Sequence, residues 1–417
     1  MTEPSATLAP APPIPRDAAL IRGRRQWPLP KLAVPGAPLL RVEDLAVRFS
    51  LPKGSVKAVD GVSFGLDDGE ALGIAGESGC GKTTTALSLV RLLPANGRIR
   101  SGKVELFGID LVPKTEQQLA RYRWREISIV FQGAMNALNP VRRVGDQIAE
   151  PIEVRLGQPR ESARKRAAEL LDLVGIPKKR STAYAHELSG GMRQRAMIAM
   201  ALACDPAIVI GDEPTTALDV MVQAQILQLL EQLRRDLGLS LILITHDLSV
   251  IAETCDKVMV MYAGKVAEEG PVRRVFTAPR HPYTQALLAA FPNIHADRRT
   301  LEVIPGMPPD LRNPPPGCRF APRCAFAMPV CTEVDPPEVT FADGVRVACH
   351  LYPSADAPMA GEAAMDHATR SINVIGADVE GGIATVVEAG DGVAGTRPAP
   401  AGAGEVPPDP DAPGPAS

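Results

Sequence analysis

Two stretches near the amino-terminal end of the chain show a strand pattern of hydrophobic and polar positions. Apolar and polar side chains alternate through much of Leu40–Phe49, and Val56–Leu66 continues in the same style. A repeat of two residues places every second side chain on one face of a β-strand, which can be buried while the other face meets water. Both stretches therefore predict half-buried strands.

A second pattern consists of short, continuously apolar runs, which are typical of strands that are buried on both faces. The runs are Glu70–Ala75, Ile127–Phe131, Ala207–Gly211, Leu241–Thr245 and Lys257–Met261. Helical patterns separate most of them, and an alternation of strands and helices is typical of an α/β fold. The sequence therefore predicts a parallel sheet that is covered by helices.

Helix-like spacing of apolar residues begins directly after the first buried run. It extends from Lys82 to Leu93 and stops at Pro94, since proline cannot continue a helix. The stretch from about 145 to 182 is mostly polar helix, and interruptions are predicted at Pro151 and Pro159. This stretch predicts a helical insertion between strands.

The two ends of the chain have a different texture. Residues 1–38 contain nine prolines, and residues 354–417 are rich in Ala, Gly and Pro with ten acidic and two basic side chains. Such segments have too few apolar residues to form a packed core. We expect a disordered arm at 1–38 and a disordered acidic tail at 354–417.

Composition narrows the classes of function. The 417 residues are 45% hydrophobic with a formal net charge of -3 and only 4% aromatic residues, which argues against a nucleic-acid partner. The longest apolar candidate, Ala196–Cys204, falls well short of the roughly 18 residues that span a bilayer. We expect a protein that stays in the cytosol and acts on membranes only by docking on other subunits.

A glycine-rich loop follows the first buried strand and precedes a helix. It fits the pattern G-x-x-x-x-G-K-[ST], whose backbone N–H groups and helix N-terminus bind phosphates. In this pattern the lysine reaches the β- and γ-phosphates of ATP, and the hydroxyl of the next residue binds Mg²⁺. The candidate nucleotide-binding residues are Gly76, Glu77, Ser78, Gly79, Cys80, Gly81, Lys82, Thr83 and Thr84.

Two carboxylates end the apolar run that begins at Ala207. Asp212 is a candidate ligand of the Mg²⁺ shell, and Glu213 is a candidate general base that polarises the attacking water. A lone Asp-Glu pair is usually a solvated strand end. Here the strand directs both residues to the carboxyl edge of the sheet, where ligands of open α/β sheets bind.

A second anion site is predicted at Ser189, Gly190 and Gly191, which open a helix that also carries Gln194. The alternative is an ordinary serine N-cap. One bound nucleotide does not require two phosphate-binding sites from the same chain. A dimer with ATP at its interface does require both sites. The pattern therefore favours a dimer in which each such helix start contacts the γ-phosphate bound by the other subunit.

In order and spacing, these segments resemble the Walker A, signature and Walker B motifs of ABC ATPases. The resemblance covers about 40–291 and implies a P-loop nucleotide-binding domain with an antiparallel β subdomain and a helical subdomain. It implies that Gln132 is the Q-loop glutamine at the Mg²⁺, that Asp219 lies in the D-loop, and that His246 contacts the γ-phosphate. It also implies that Phe49 either stacks on adenine or packs in the core.

Further segments are similar to dipeptide and oligopeptide permease ATPases, namely Phe131–Pro140, His281–Leu288, Gly317–Cys324 and Ala348–His350. This resemblance implies an ABC ATPase domain at 39–280 with its helical insertion at about 133–190, and a small Cys-rich carboxyl-terminal extension at 281–353.

That resemblance also implies the partners and the task. They are two membrane-spanning permease subunits, a second ATPase subunit (a paralogue in preference to a second copy) and an extracytoplasmic solute-binding protein. The expected function is ATP hydrolysis at the cytoplasmic face of the membrane that powers peptide import. A nickel or other solute importer, and a non-transport ABC ATPase, stay open as alternatives.

Four of the seven cysteines lie within 32 residues, at Cys318, Cys324, Cys331 and Cys349. A reducing cytosol argues against disulfides, and four thiolates suit either an iron–sulfur cluster or Zn²⁺. The spacing lacks the paired knuckles of common zinc sites, so we expect a [4Fe–4S] cluster, with Zn²⁺ and free thiols as the alternatives. His350 is a further candidate ligand.

Overall fold

The computed structural model describes residues 38–133, 137–216, 218–290 and 304–356. All of these fall in one compact unit, 1–375, while the second unit, 376–417, lies outside the described residues. The predicted disordered arm and acidic tail also lie outside them, apart from Pro38 and residues 354–356.

The strands of the described residues form two sheets. They are β1 (Leu40–Ser50), β2 (Ser55–Leu66), β3 (Ala71–Ala75), β4 (Gly97–Leu106), β5 (Ile109–Asp110), β6 (Ile127–Val130), β7 (Ile208–Asp212), β8 (Ser240–Ile244), β9 (Lys257–Tyr262), β10 (Lys265–Pro271), β11 (Glu338–Thr340) and β12 (Arg346–Ala348).

The smaller sheet is antiparallel and has the order β2-β1-β4-β5. Both strands predicted from alternation, β1 and β2, are confirmed within one residue at each end. Strand β4 was not predicted, because Gly102 and three basic residues interrupt its alternation. The resulting sheet is the antiparallel subdomain that the family resemblance implied.

The larger sheet has the order β11-β12-β10-β9-β3-β8-β7-β6. Strands β9, β3, β8, β7 and β6 are parallel, which confirms the prediction from the apolar runs. Strand β10 returns antiparallel to β9 through a tight turn at Ala263 and Gly264, and β12 and β11 extend the sheet antiparallel from there. The carboxyl-terminal segment is thus joined to the parallel sheet by strand pairing.

The helices are α1 (Lys82–Leu89), α2 (Glu116–Leu119), α3 (Val144–Leu156), α4 (Arg160–Leu173), α5 (Gly190–Ala201), α6 (Val220–Leu237), α7 (Leu248–Thr254), α8 (Val272–Thr277), α9 (Pro282–Ala289) and α10 (Pro329–Glu333), with short 3-10 turns at Lys178–Thr182, Ala185–Glu187 and Ala321–Arg323. No helix in these described ranges is both long and apolar enough to traverse a bilayer.

Two helix boundaries differ from the sequence prediction. Helix α1 ends at Leu89, four residues before the predicted end, and Arg91 then has a left-handed φ of 54° that turns the chain. Helix α3 continues through Pro151, where an interruption was predicted. Proline removes only one backbone donor there, and the buried face of α3 packs on the helices around it. Pro159 does stand at a boundary, as the N-cap of α4.

The parallel sheet separates two cores. Leu72 and Ile74 belong to the core shared with the antiparallel sheet and α1, whereas Ala71 and Ala75 belong to the core shared with the helical part of the chain. Successive residues of a strand point to opposite faces, so β3 is covered on both sides. This burial fixes the position of the loop that follows β3.

Candidate nucleotide-binding and hydrolysis site

The register of the parallel sheet brings three strand ends together. Ile74 of β3 pairs with Ile244 of β8, which in turn pairs with Asp212 of β7. Because these strands are parallel, the residues after them emerge at the same edge. The loop that begins at Gly76, the carboxylates at Asp212 and the residues after Ile244 therefore form one site.

The loop between β3 and α1 follows a path that requires glycine at two points. A Cβ at Gly76 would lie 2.1 Å from the carbonyl oxygen of Met261, and a Cβ at Gly81 would lie 2.4 Å from that of Ala58. Gly81 also has a φ of 106°, which side chains strongly disfavour. The loop is thus pressed against β9 and β2, and its shape is set by backbone contacts.

Lys82 lies across this loop. Its Nζ donates hydrogen bonds to the carbonyl oxygens of Gly76 at 2.7 Å and Glu77 at 3.0 Å, and the residue is buried. Cys80 is also buried, with its Sγ 3.8 Å from that Nζ. Burial raises the pKa of the Cys80 thiol despite the opposing charge of Lys82. Cys80 therefore serves as a small, protonated residue that fills the loop.

Thr83 and Asp212 are hydrogen-bonded partners. The Thr83 hydroxyl donates to Oδ1 of Asp212 at 3.1 Å, while Asp212 is only 1% exposed. Burial raises the pKa of Asp212, and the bond from Thr83 partly counteracts this. Two oxygen donors side by side are what Mg²⁺ prefers. Of the other loop residues, Ser78 and Gly79 are exposed, and Thr84 lies in the first turn of α1.

Glu213 is the centre of a polar cluster. Its Oε2 accepts hydrogen bonds from Nε2 of Gln132 at 2.6 Å and from the hydroxyl of Thr216 at 3.0 Å, and its Oε1 lies 3.6 Å from Nδ1 of His246. Its backbone has a left-handed φ of 47°, held by a hydrogen bond from its N–H to the carbonyl of Ile244. The structure thus brings together three residues that were predicted separately.

The second predicted anion site lies at the start of α5. Ser189 is the N-cap, with its Oγ accepting the N–H of Met192 at 3.3 Å, and Gly190 and Gly191 form the first turn. Gln194 is buried one turn later, and its Nε2 has no hydrogen-bond partner among the described residues.

Asp219 caps the neighbouring helix α6 by accepting the N–H of Val222 at 2.9 Å. A Cβ at Gly191 would lie 2.7 Å from Cγ1 of Val222, so the two helix starts are in close contact. Ala217 of the predicted D-loop, like Ala134–Asn136 of the predicted Q-loop region, lies outside the described residues.

Phe49 ends up half-buried on β1. Its ring lies against β4, where a Cβ at Gly97 would come within 2.8 Å of the Phe49 Cε1 atom. This contact accounts for packing of the ring on the neighbouring strand. Stacking of Phe49 on adenine stays a prediction.

The four clustered cysteines are free thiols, and the backbone N–H of Cys318 donates to the carbonyl oxygen of Cys331 at 2.8 Å. Burial, with a smaller contribution from the charges of Cys318, Cys324 and Cys331, raises the pKa of Cys349 to about 12. Each of the four sulfurs accepts a backbone N–H, from Phe326 to Cys324 and from Met328 to Cys331 at 3.4 Å each, and likewise from Phe320 to Cys318 and from Leu351 to Cys349.

The predicted metal centre at these cysteines is not supported by the arrangement of the side chains. Across residues 304–356 and the rest of the described chain, no group of three or more His, Cys, Asp or Glu residues is arranged to hold a metal ion. His350 is occupied elsewhere, with its Nε2 2.9 Å from the carbonyl oxygen of Val334.

Three residues around the site were not predicted from the sequence. Thr216 binds Glu213, and both Tyr283 and Arg323 bind Glu77 of the phosphate-binding loop. Tyr283 and Arg323 lie inside segments that were singled out for their resemblance to permease ATPases. Their contact with a loop more than 200 residues earlier has no signal in a local pattern.

Comparisons with known proteins agree with this geometry. A family model described as ABC transporter matches residues 59–216, and a model described as the C-terminal region of oligopeptide/dipeptide transporters matches residues 267–331. The chain is 47% identical over 335 residues to the oligopeptide transport ATP-binding protein OppD of Bacillus subtilis, covering 78% of this chain and 94% of that protein. It is 49% identical over 313 residues to OppD of Escherichia coli, covering 75% and 92%.

Solved structures show the same fold over the ATPase part. The dimeric bacterial ABC transporter cassette MJ0796 superposes with a TM-score of 0.51 at 28% identity, covering 56% of this chain and 99% of that one. The protein cbiO1 from Clostridium perfringens, part of the ABC transporter complex cbiONQ, superposes with a TM-score of 0.50 at 29% identity, covering 58% of this chain and 91% of that one.

Proposed function

Because this chain belongs to the oligopeptide transport ATP-binding proteins of the ABC transporter family, we propose that it binds and hydrolyses MgATP to power the import of peptides across a membrane. The observation that carries this proposal is the convergence of Gln132, Thr216 and His246 on the Glu213 carboxylate. This cluster adjoins the Thr83–Asp212 pair at the same sheet edge.

The loop and helix α1 bind the phosphates in this proposal. Backbone N–H groups of the loop and the N-terminal end of α1 favour the negative charge of the phosphates, and Lys82 adds a full positive charge. Thr83, Asp212 and Gln132 would hold the Mg²⁺ ion, which would supply positive charge against the charge that develops on the phosphates. The fit of this site to Mg²⁺ rests on the Thr83–Asp212 oxygen pair, 3.1 Å apart.

Glu213 activates the attacking water. A general base must be oriented before its proton affinity matters, and three neighbours orient this carboxylate. Glu213 accepts the proton of the water, while His246 contacts the γ-phosphate that the water attacks. Most of the acceleration comes from positioning and charge stabilisation, as in phosphoryl transfer generally.

A second ATPase subunit completes the site in this proposal. The helix start at Ser189–Gly191 presents N–H groups and a positive dipole end, and the chain has only one set of motifs. A relative of the ATPase part, MJ0796, is a dimeric cassette. We therefore expect a sandwich of two subunits around two MgATP, with a paralogue or a second copy of this chain as partner.

The remaining assignments follow from family membership. We propose an ATPase domain at 39–280 with a helical insertion at about 133–190, and a carboxyl-terminal extension at 281–353. In the assembled importer the chain lies at the cytoplasmic face of the membrane on two permease subunits, and a solute-binding protein delivers the peptide. No nucleic acid takes part.

Replacing the proposed base tests hydrolysis directly. Glu213→Gln keeps the shape of the side chain but cannot accept the proton, so we expect unchanged ATP binding and a loss of steady-state ATPase activity of at least 100-fold. The control is Glu161→Gln on the exposed first turn of α4. Wild-type turnover in Glu213→Gln would show that the base is assigned to the wrong residue.

Transport is tested with the complete importer in vesicles, comprising this chain, its permease subunits, the second ATPase and the solute-binding protein. We expect ATP-dependent uptake of a labelled oligopeptide that Glu213→Gln abolishes. Uptake of nickel in place of peptides would assign the chain to the alternative class of importer. Failure to associate with any membrane subunit would favour a non-transport ATPase.

We also propose that a [4Fe–4S] cluster, rather than a zinc ion, would draw the thiols at 318, 324, 331 and 349 into a ligand arrangement that they do not have in the described structure. The support is their mutual proximity and the backbone N–H groups that point at all four sulfurs, since such hydrogen bonds tune clusters held by thiolates. The wide spacing of the four residues suits a group larger than one ion.

The test is anaerobic purification followed by iron and zinc assays and an absorbance spectrum near about 400 nm, where iron–sulfur clusters absorb. We expect iron in the wild type and in Cys204→Ala, and loss of iron in Cys324→Ala. Zinc alone, or a colourless sample without either metal, would contradict the cluster.

A further inference from the structure

The phosphate-binding loop is held by a residue from the far end of the described chain. Arg323 grips the carboxylate of Glu77 with two parallel hydrogen bonds, Nη1 to Oε2 at 2.7 Å and Nη2 to Oε1 at 2.9 Å. The Arg323 side chain is 5% exposed and that of Glu77 25% exposed. Such two-pronged pairs are the strong and geometrically specific class of charge-assisted hydrogen bonds.

Arg323 is itself fixed before it reaches the loop. Its Nε donates to the carbonyl oxygen of Pro305 at 2.8 Å, and its Nη1 donates to the hydroxyl of Tyr262 at 3.2 Å. The hydrogen bonds that Arg323 donates to Glu77 raise the pKa of Arg323, which stays charged throughout the accessible pH range. Because these hydrogen bonds restrict the conformations of the Arg323 side chain, the position of Arg323 determines the position of the Glu77 carboxylate.

The backbone of Glu77 is held from the same side. Its N–H donates to the hydroxyl of Tyr283 at 2.9 Å, and the buried Tyr283 ring packs on Tyr262 and Phe320 with centroid distances of 4.6 and 5.3 Å. The Glu77 carbonyl accepts from Nζ of Lys82. Three groups of one loop residue are thus fixed, two of them by the carboxyl-terminal segment.

We propose that Arg323 is a positioning residue for ATP binding, which holds the phosphate-binding loop in its binding conformation through Glu77. The inference rests on the proposed nucleotide site and adds to it. A loop that is already ordered loses less conformational entropy when it closes on phosphates. Arg323 touches Glu77 rather than the phosphates, so its effect falls on nucleotide affinity more than on the chemical step.

A merely structural role would be to fasten the carboxyl-terminal segment to the ATPase domain. The chain offers a matched control for that role in the pair of Arg280 and Asp343. Arg280 also grips a carboxylate with two nitrogens, at 2.9 and 3.3 Å, and its side chain is 23% exposed. This pair lies in the same part of the chain, and its two hydrogen bonds join Arg280 to Asp343 and not to the loop residue that Arg323 contacts.

The experiment measures the Kd of ATP by calorimetry, and the kcat and KM of ATP hydrolysis, for the full chain with its partner subunits. For Arg323→Ala we expect a Kd and KM that are at least about fivefold higher, with kcat within twofold of the wild type. Arg323→Lys keeps the positive charge but cannot form the two parallel hydrogen bonds to Glu77, so it should recover part of the affinity for ATP. Arg280→Ala should lower the melting temperature and leave the Kd of ATP unchanged.

A double-mutant cycle isolates the contact. Since Arg323 acts through Glu77, the double variant Arg323→Ala, Glu77→Gln should bind ATP no more weakly than the weaker of the two single variants. Additive losses would overturn the inference, as would a folded Arg323→Ala with wild-type affinity or an equal loss of affinity in Arg280→Ala. If Arg323→Ala does not fold, Arg323→Lys and Glu77→Gln decide by the same criteria.

Lys82→Ala separates this inference from the function on which it rests. Wild-type ATP affinity in Lys82→Ala would contradict the proposed nucleotide site itself. Loss of affinity in Lys82→Ala together with wild-type affinity in Arg323→Ala would leave that site standing and remove only the role of Arg323.

Discussion

The hydroxyl of Thr216 donates a hydrogen bond to Oε2 of Glu213 over 3.0 Å. Gln132 donates to the same oxygen, and His246 faces the other one, so the carboxylate is restrained on both sides. This arrangement gives Glu213 one orientation. It also makes Thr216 part of the proposed hydrolysis site, although no sequence motif indicated it.

Thr216→Val removes this hydroxyl while keeping the shape of the side chain. A net hydrogen bond contributes about 1 kcal/mol, so we expect kcat for ATP hydrolysis to fall roughly fivefold, with the Kd of ATP unchanged. The control is Thr254→Val on α7, whose hydroxyl donates to the carbonyl of Val250. A change in Kd with an unchanged kcat would place Thr216 in binding instead.

Tyr283→Phe tests the second support of the phosphate-binding loop. The change leaves the buried ring in place but deprives the N–H of Glu77 of its acceptor. An unsatisfied donor costs about 1–3 kcal/mol, and we expect the Kd of ATP to rise by a factor of about five or more. Tyr352→Phe is the control, since that hydroxyl binds the carbonyl of Arg280. Equal affinity in both variants would show that the Tyr283 hydroxyl does not support the loop.

The sequence was most informative where a function lies in one short stretch. Lys82 and Thr83 belong to a loop whose residue spacing indicates phosphate binding. Asp212 and Glu213 end an apolar run that is typical of a buried strand. The hydrophobic pattern thus predicted both strand β7 and the carboxyl edge of the sheet, where Asp212 and Glu213 lie. The parallel order of the central strands followed from the same pattern.

The parts that were missed depend on tertiary structure. Strand β4 escaped because its exposed face carries basic residues and a glycine, and its pairing with β1 provides what its own pattern lacks. The pair of Arg323 and Glu77 joins positions 246 residues apart. The pairing of β12 with β10 and the aromatic packing around Tyr283 bring them together, and no periodicity predicts such a contact.

Asp212→Asn separates magnesium binding from stability. The neutral amide is a poorer ligand for a hard cation, so we expect the Mg²⁺ concentration for half-maximal ATPase activity to rise by about 10-fold or more. Because burial raises the pKa of Asp212, its charge opposes folding, and the melting temperature of the variant should not fall. Asp146→Asn, which removes an exposed ion pair with Arg164, is the control. An unchanged Mg²⁺ requirement would exclude Asp212 as a ligand.

Glu268 and His281 form a buried pair whose titrations oppose each other. Both oxygens of Glu268 accept backbone N–H groups, from Arg280 at 2.8 Å and from His281 at 3.0 Å. Burial raises the pKa of Glu268 from 4.5 to about 7, despite the hydrogen bonds and the Arg280 charge. Burial lowers the pKa of His281 from 6.5 to about 4.

The sign of each group's effect on the pH dependence of stability depends on whether the folded or the unfolded state binds more protons. Between pH 4.5 and 7 the folded state keeps the proton on Glu268 that the unfolded state releases, so this group's contribution to stability falls as pH rises. Between pH 6.5 and 4 the unfolded state protonates His281 and the folded state does not, so stability falls as pH drops. In the window from 4.5 to 6.5 the two slopes cancel, each being about 1.4 kcal/mol per pH unit.

Single substitutions should expose each slope. Relative to the wild type, His281→Asn should gain about 3 kcal/mol of unfolding free energy as pH falls from 6.5 to 4, while its side-chain oxygen can still cap α9 at Tyr283. Glu268→Gln should gain about as much as pH rises from 4.5 to 7. Urea unfolding of the three proteins across this range measures both. If unfolding free energy changes with pH in the same way for the wild type and both variants, the pKa of neither group changes on folding. If both variants change relative to the wild type with the same sign as pH rises, the two groups do not oppose each other.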